Sequence, residues 1–205
     1  MRGLLDIVKK RMGKKLFTPE SLEDADVTNR LWELALFYGD EMDKCLAGAA
    51  HFAANAMGAA ILETVLLIAC LRHKSKVVAT TTWQRIHKKE PPKPFSEMLS
   101  GNRIGLAALL HIARELKWLP KEGIAPEFRA ELVAQVGEEK VRIVADGIPG
   151  ILGGSEIAAI LSTAVRNTLH PGRSIREPLA EHRFMSVLCT MLSLIAIGSI
   201  VETVP

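Results

Sequence analysis

The feature that most constrains this chain is a pair of long apolar runs. Phe184 to Val201 (FMSVLCTMLSLIAIGSIV) contains no charged residue, and Cys45 to Leu71 is apolar and rich in alanine. The first run is just long enough to cross a bilayer. Ser186, Thr190, Ser193 and Ser199 dilute it, however, and it has no flanking Trp or Tyr and no following Lys to anchor it at an interface. The pattern predicts a fully buried core helix whose natural packing partner is the run 45–71. A membrane-anchored helical protein is the alternative.

Hydrophobic residues make up 48% of the 205 and charged residues 24%, which suits a chain that builds one sizeable core. Lys plus Arg number 26 against 23 Asp plus Glu, a net charge of +3. Bulk electrostatics therefore do not announce a nucleic-acid binder, and an anionic partner would need a local basic patch. Cys45, Cys70 and Cys189 lie far apart in apolar helical runs, with no C-x-x-C pair, so neither a zinc site nor a dithiol is expected. Buried free thiols suit a reducing compartment. Asp6, Lys9 and Lys10 interrupt the first residues before any apolar core of a leader can form. The expected location is the cytoplasm.

Helix signals dominate, and the predicted fold is all-α: a single domain over 1–205, an up-down bundle of four or more long helices. Thr18-Pro19-Glu20-Ser21 reads as a helix start, with Thr18 as cap and Pro19 at the first helical position. Leu31, Leu34, Ala35 and Tyr38 share one face. Gly39-Asp40 reads as a break that divides N-terminal helices (1–38) from a core (40–201), with Asp40 capping a helix that runs to about His73. Lys74 to His87 is ambiguous because of its β-branched residues. His87 to Pro94 is a charged, Pro-rich loop, and Phe95 to Leu99 a short helical turn. Asn102 is expected to cap a helix from Arg103 to Trp118 that Pro120 stops. Two shorter segments, 126–137 and 138–145, precede the Gly-rich turn 147–154. A further helix starts at Ser155-Glu156 and ends at Pro171-Gly172, and the last starts near Glu177-Pro178.

The helix from Glu156 carries the most pointed chemistry. Arg166 and His170 are four residues apart, so they lie on one side of a helix, a turn between them. Asn167 follows Arg166, and Arg173 and Arg176 come just after the helix end. Cleaving RNA without a metal requires a base or acid at the sugar hydroxyl and leaving oxygen. It also requires a cation for charge developing on phosphorus. His170 and Arg166 supply these, and the later arginines can hold backbone phosphates. The same residues also suit plain structural work: a histidine in a last turn caps carbonyls and complements the dipole, and Arg166 can pair with a carboxylate.

The segment Ala164 to Arg173 (AVRNTLHPGR) resembles the signature of the HEPN superfamily, in which Arg and a polar residue, often Asn, precede a His near a helix end. The helix containing Ala59, Ala60, Leu62 and Glu63, and the run Leu106 to Leu119, are similar to helices of such proteins. The resemblance covers roughly 40–200, and its specific part is the Arg-Asn and His-Pro pairs. It implies a helical bundle that dimerises and brings two Arg/His sets into one cleft, in a setting of phage defence or of a toxin–antitoxin system. Arg166 and His170 take the catalytic positions of the resemblance, with Asn167, Arg173 and Arg176 in binding roles. Here Asn167, Thr168 and Leu169 alone separate Arg166 from His170, a shorter spacing than the family's catalytic pattern. One residue fewer turns His170 by about 100° around an ideal helix axis. The resemblance therefore implies first a module that binds RNA, a nucleotide or a partner protein, and second a metal-independent endoribonuclease.

Glu63 sits mid-helix in an apolar stretch, where a carboxylate needs a partner, and Arg166 or His170 is the expected one. His111 reads as a core or helix-edge histidine. Arg72-His73-Lys74-Ser75-Lys76 and Arg85-Ile86-His87-Lys88-Lys89 flank Trp83. Basic residues around an aromatic can hold phosphates and stack a base. A solvated surface face is the expected role. Residues 147–154 lack the Lys and spacing of a phosphate-binding loop. No metal or other cofactor is expected.

Overall fold

A computed structural model describes residues 25–88, 91, 93–100, 104–119 and 179–203, with isolated positions 5, 6, 10, 130, 133, 134, 137–139 and 142. The fold is all-α. The elements are α1 (Ala25–Ala47), α2 (His51–Arg72), α3 (Lys74–Val78), α4 (Thr81–His87), α5 (Phe95–Ser100), α6 (Leu106–Glu115) and α7 (Leu179–Thr203). No strand occurs among the described residues. Three of these helices are long, with 23, 22 and 25 residues for α1, α2 and α7, and the other four span five to ten.

The break expected at Gly39-Asp40 is absent. α1 runs straight through it, with Gly39 buried and Asp40 on the exposed face. Glycine in a helix interior costs about 0.5–1 kcal/mol relative to alanine. Packing along α2 outweighs that cost, so the division between 1–38 and 40–201 falls inside one helix. The chain turns nine residues later. Gly48 N–H donates to Lys44 O (3.0 Å), Ala49 N–H to Leu46 O (3.3 Å) and Ala50 N–H to Cys45 O (2.8 Å). The last two bonds form a Schellman closure, which places Ala49 in the left-handed region at φ 54°. The same closure ends α6: Lys117 N–H donates to Arg114 O (3.1 Å), Trp118 N–H to Ala113 O (2.9 Å), and Lys117 has φ 59°. The chain therefore leaves the helix before Pro120 is reached. At the other end α6 begins after Gly105 with no side-chain cap, and Asn102 lies outside the described residues.

α2 is the centre of the molecule. α1 folds back along it and α7 packs against it, as the two apolar runs predict. The three helices meet at Gly58, where an added methyl would lie 3.5 Å from Ser193 Cβ and 3.6 Å from Met42 Cε. Met42, Ile61, Leu62, Leu66, Ile68 and Leu71 are fully buried, joined from α6 by Leu109, Leu110 and Ile112. Each such side chain contributes about 1.5–3 kcal/mol through burial. α2 is also long and apolar enough to cross a membrane by length and composition, and most of it is buried inside the protein. α7 from Ser186 to Ile200 is likewise buried, apart from partly covered Ser199.

Hydroxyls inside this core mostly satisfy themselves. Thr64 donates to Ala60 O (2.8 Å) and Thr190 to Ser186 O (2.7 Å), each one turn back. Ser199 and Thr203 donate to Trp118 O (3.2 and 3.1 Å), fastening the end of α7 to the end of α6 and satisfying a carbonyl that the helix leaves open. Asn55 differs: its carboxamide is fully buried, and neither Nδ2 nor Oδ1 has a partner among the described residues. Ser193 Oγ is in the same position.

Lys74 to His87, ambiguous in sequence, is helical. Thr80 caps α4 by accepting from Trp83 N–H at 3.2 Å. Leu34 departs from the amphipathic expectation, with 39% of its surface exposed. The described core face of α1 is Thr28, Ala35, Gly39 and Met42.

A left-handed backbone costs an L-residue about 1–2 kcal/mol. Glycine removes that cost but loosens the unfolded chain by about 0.4–1 kcal/mol. Ala49→Gly should therefore stabilise the fold by about 0.5–1 kcal/mol, seen as a higher urea midpoint at unchanged slope. A lower midpoint would show that the turn is not left-handed at Ala49.

Candidate functional site

Arg166, Asn167, His170, Arg173 and Arg176 lie outside the described residues. Glu63 is described, and it stands where the sequence places it, mid-way along α2 in the most apolar helix of the hairpin. It is half-buried beside fully buried Leu62 and near-buried Thr64. Among the described residues it makes no ion pair, and burial alone pushes its carboxyl above the usual carboxylate range. The helix that fixes it is held from both sides by α1 and α7, so the carboxylate is mounted on the most rigid element of the fold.

The basic segments around Trp83 form a second constellation. α3 and α4 follow the end of α2 as two short helices. Trp83 is 4% exposed and Phe95 5%. Their rings stack at 4.8 Å, His87 lies against Trp83 at 4.2 Å, and Lys74 Nζ stands 5.7 Å from the centre of the Phe95 ring. Trp83 is thus enclosed by its own neighbours and offers no open face for a nucleic-acid base. The stacking role that the sequence pattern allows is absent. What remains at the surface is charge: Lys76, Arg85 and Lys88 are exposed, and Lys74 is partly so.

A carboxylate that sequence reasoning missed fixes these helices. Glu115, in the last turn of α6, accepts from Thr81 N–H (2.7 Å), Thr82 N–H (3.0 Å) and Thr82 Oγ1 (2.5 Å). It therefore caps the start of α4 from a different helix. Burial works against its charged form, but the Thr82 hydroxyl, the Thr81 and Thr82 amides and the neighbouring Arg114 outweigh it, so its carboxyl lies below the usual range. The available signal was the threonine run 80–82 at a helix start. The partner more than thirty residues away has no local signature.

Other chemical groups are quiet. Cys70 and Cys189 are buried and form no disulfide, and burial pushes the Cys70 thiol up, away from reactivity. His111 is partly buried on α6. Among the described residues no three His, Cys, Asp or Glu side chains gather as a metal site would require.

No family model, no curated protein and no solved structure matches this chain.

Glu63 gives a signed test. A carboxyl whose pKa is raised by folding lends stability in the protonated form and loses it as pH rises through the folded-state value. Glu63→Gln should then raise the melting temperature at about pH 7 and leave it unchanged near pH 3, below the ordinary range. A lower melting temperature at neutral pH would reveal a cationic partner, the role expected of Arg166 or His170.

Proposed function

We propose that this chain is a HEPN-like helical module of the cytoplasm that acts as a homodimer and binds RNA, a nucleotide or a partner protein, in a setting of phage defence or of a toxin–antitoxin system. The observation that carries the proposal is the stretch Arg166-Asn167-Thr168-Leu169-His170-Pro171-Gly172. Its pattern of fixed cation, amide and imidazole, at what the sequence predicts to be a helix end, suits phosphate chemistry. An all-helical fold supports it. A guanidinium binds phosphate bidentately.

A metal-independent endoribonuclease using Arg166 and His170 is the second reading. The residue types favour it: an imidazole can take the 2′-hydroxyl proton while a guanidinium stabilises the charge that develops on phosphorus. The short separation between them favours binding over turnover, because it rotates the imidazole about the helix relative to the arginine.

Purified protein incubated with labelled mixed RNA and EDTA, beside Arg166→Ala and His170→Ala, separates the two. Binding without cleavage is expected. It should weaken about tenfold or more in Arg166→Ala, the loss of one charge-assisted hydrogen bond of about 1.5–3 kcal/mol. Cleavage by the parent that survives EDTA and disappears in His170→Ala would instead establish the ribonuclease. RNA neither bound nor cut would overturn RNA as the ligand.

A further inference from the structure

The chain's net charge is only +3, yet it is very unevenly spread. From Thr64 to Lys89 there is no acidic residue, while Arg72, Lys74, Lys76, Arg85, Lys88 and Lys89 supply six cations. The rest of the chain is therefore net negative. The described cations of this segment fall at the end of α2 and on α3 and α4 with the residue that follows. α2 delivers the segment out of the core at Arg72, and α3 and α4 then cross the surface as two short helices joined by Ala79 and Thr80. Ser75, Lys76, Val78, Ala79, Thr81, Gln84, Arg85 and Lys88 are all exposed.

Three observations bear on what this surface meets. First, the exposed cations of α3 and α4 are not neutralised among the described residues. Lys76, Arg85 and Lys88 form no ion pair among the described residues. The acid that reaches the segment, Glu115, has its oxygens engaged by the amides and hydroxyl at the start of α4. Second, α6 adds to the charge: Arg114 and Lys117 are exposed beside Glu115, at the junction with α4. Third, the surface is almost purely polar. Val78, 42% exposed, is the one large apolar side chain exposed on α3 and α4, whereas Trp83 and Phe95 are buried. A membrane-docking face combines cations with apolar groups that enter the lipid. A base-stacking face needs open aromatic rings. Neither is found on the described part of this end, so what it can recognise is repeated negative charge. Exposed cations on two adjoining helices that carry no acid and no open aromatic ring suit a phosphodiester backbone read without regard to sequence.

We infer that the α3–α4 end, with Lys76, Arg85 and Lys88 at its centre, is a docking surface for the phosphate backbone of a nucleic acid. The Trp83–Phe95–His87 cluster beneath it is the scaffold. Its ring packing and the Glu115 clamp hold the two short helices in place, which keeps the cations presented. This surface is independent of the Arg166–His170 reading. It is built from Lys76, Arg85 and Lys88, none of which belongs to the Arg166–Arg176 stretch.

The test is fluorescence anisotropy of labelled oligo-dT with the full chain as a function of salt, beside the triple variant Lys76→Gln, Arg85→Gln and Lys88→Gln. All three side chains are exposed, and circular dichroism checks that the helices persist. The parent should bind with a steep salt dependence. The triple variant should bind roughly a hundredfold more weakly at about 0.1 M salt, with the log–log salt slope reduced by about 2, the value for three lost phosphate contacts on a single strand. Equal binding by a folded triple variant, or no binding by the parent, would overturn the inference. So would a parent that ignores oligo-dT but binds vesicles of phosphatidylserine and phosphatidylcholine, since that places a lipid surface there instead. The triple variant leaves Arg166 and His170 intact, so the loss it causes is read apart from the losses in Arg166→Ala and His170→Ala.

Discussion

The described fold depends on the close approach of α1, α2 and α7 at Gly58. An α-helix that is apolar on nearly every side cannot stand at a protein surface, so α2 must be wrapped, and two long helices do the wrapping. A glycine at the crossing and buried alanines at 54 and 59 let the backbones come near enough for Met42 and Ser193 each to reach the α2 backbone at Gly58. Large side chains then fill the remainder of α2, from Ile61 to Leu71, where α6 joins the core. The helix thus changes character along its length, small-sided near the α1 turn and large-sided toward the basic end. Asn55 and Ser193 are the cost of this arrangement. A buried amide without a partner costs about 1–3 kcal/mol, and a core with this much apolar burial can carry it.

Everything outside that trio is positioned by local devices. Two Schellman closures end α1 and α6 without a glycine in the left-handed position. Ser199 and Thr203 tie α7 to the end of α6, and Glu115 ties α6 to the start of α4. The chain of attachment therefore runs from the core to α6 and from α6 to the cationic helices. Short helices of five and seven residues are not stable on their own. Here they hold their place because a carboxylate caps one of them and an enclosed tryptophan anchors it.

Much of the architecture was legible in the sequence, and for plain reasons. Long apolar runs are either buried helices or membrane spans, which marked α2 and α7 as partners. The Pro-rich loop after His87 and the turn of helix at Phe95 were equally readable from proline and charge. The boundary at Gly39 was not, because glycine signals a helix end only when it is exposed, and burial against α2 makes the same residue a packing contact. Ala49 carried no signal, since the left-handed conformation falls on alanine while Gly48 stands next to it. Glu115 was invisible because its partners are brought by the fold. The tryptophan between two basic clusters was read as part of a solvated face, with an open stacking platform as the other possibility. Only the packing of Phe95 and His87 against its ring shows it to be enclosed. Of the candidate site, Glu63 is the residue the structure describes, and it occupies the rigid mid-section of α2.

These points combine in one claim: α2, buried between α1 and α7, is the cooperative core on which the rest of the described fold is mounted. Native-state hydrogen exchange across a denaturant series tests it most directly. The amides from Ile61 to Cys70 should be the last to exchange and should open only with global unfolding, after those of α4 and α5. If these α2 amides exchange through local opening while α4 or α6 stays protected, α2 is not the core of the fold and the account fails.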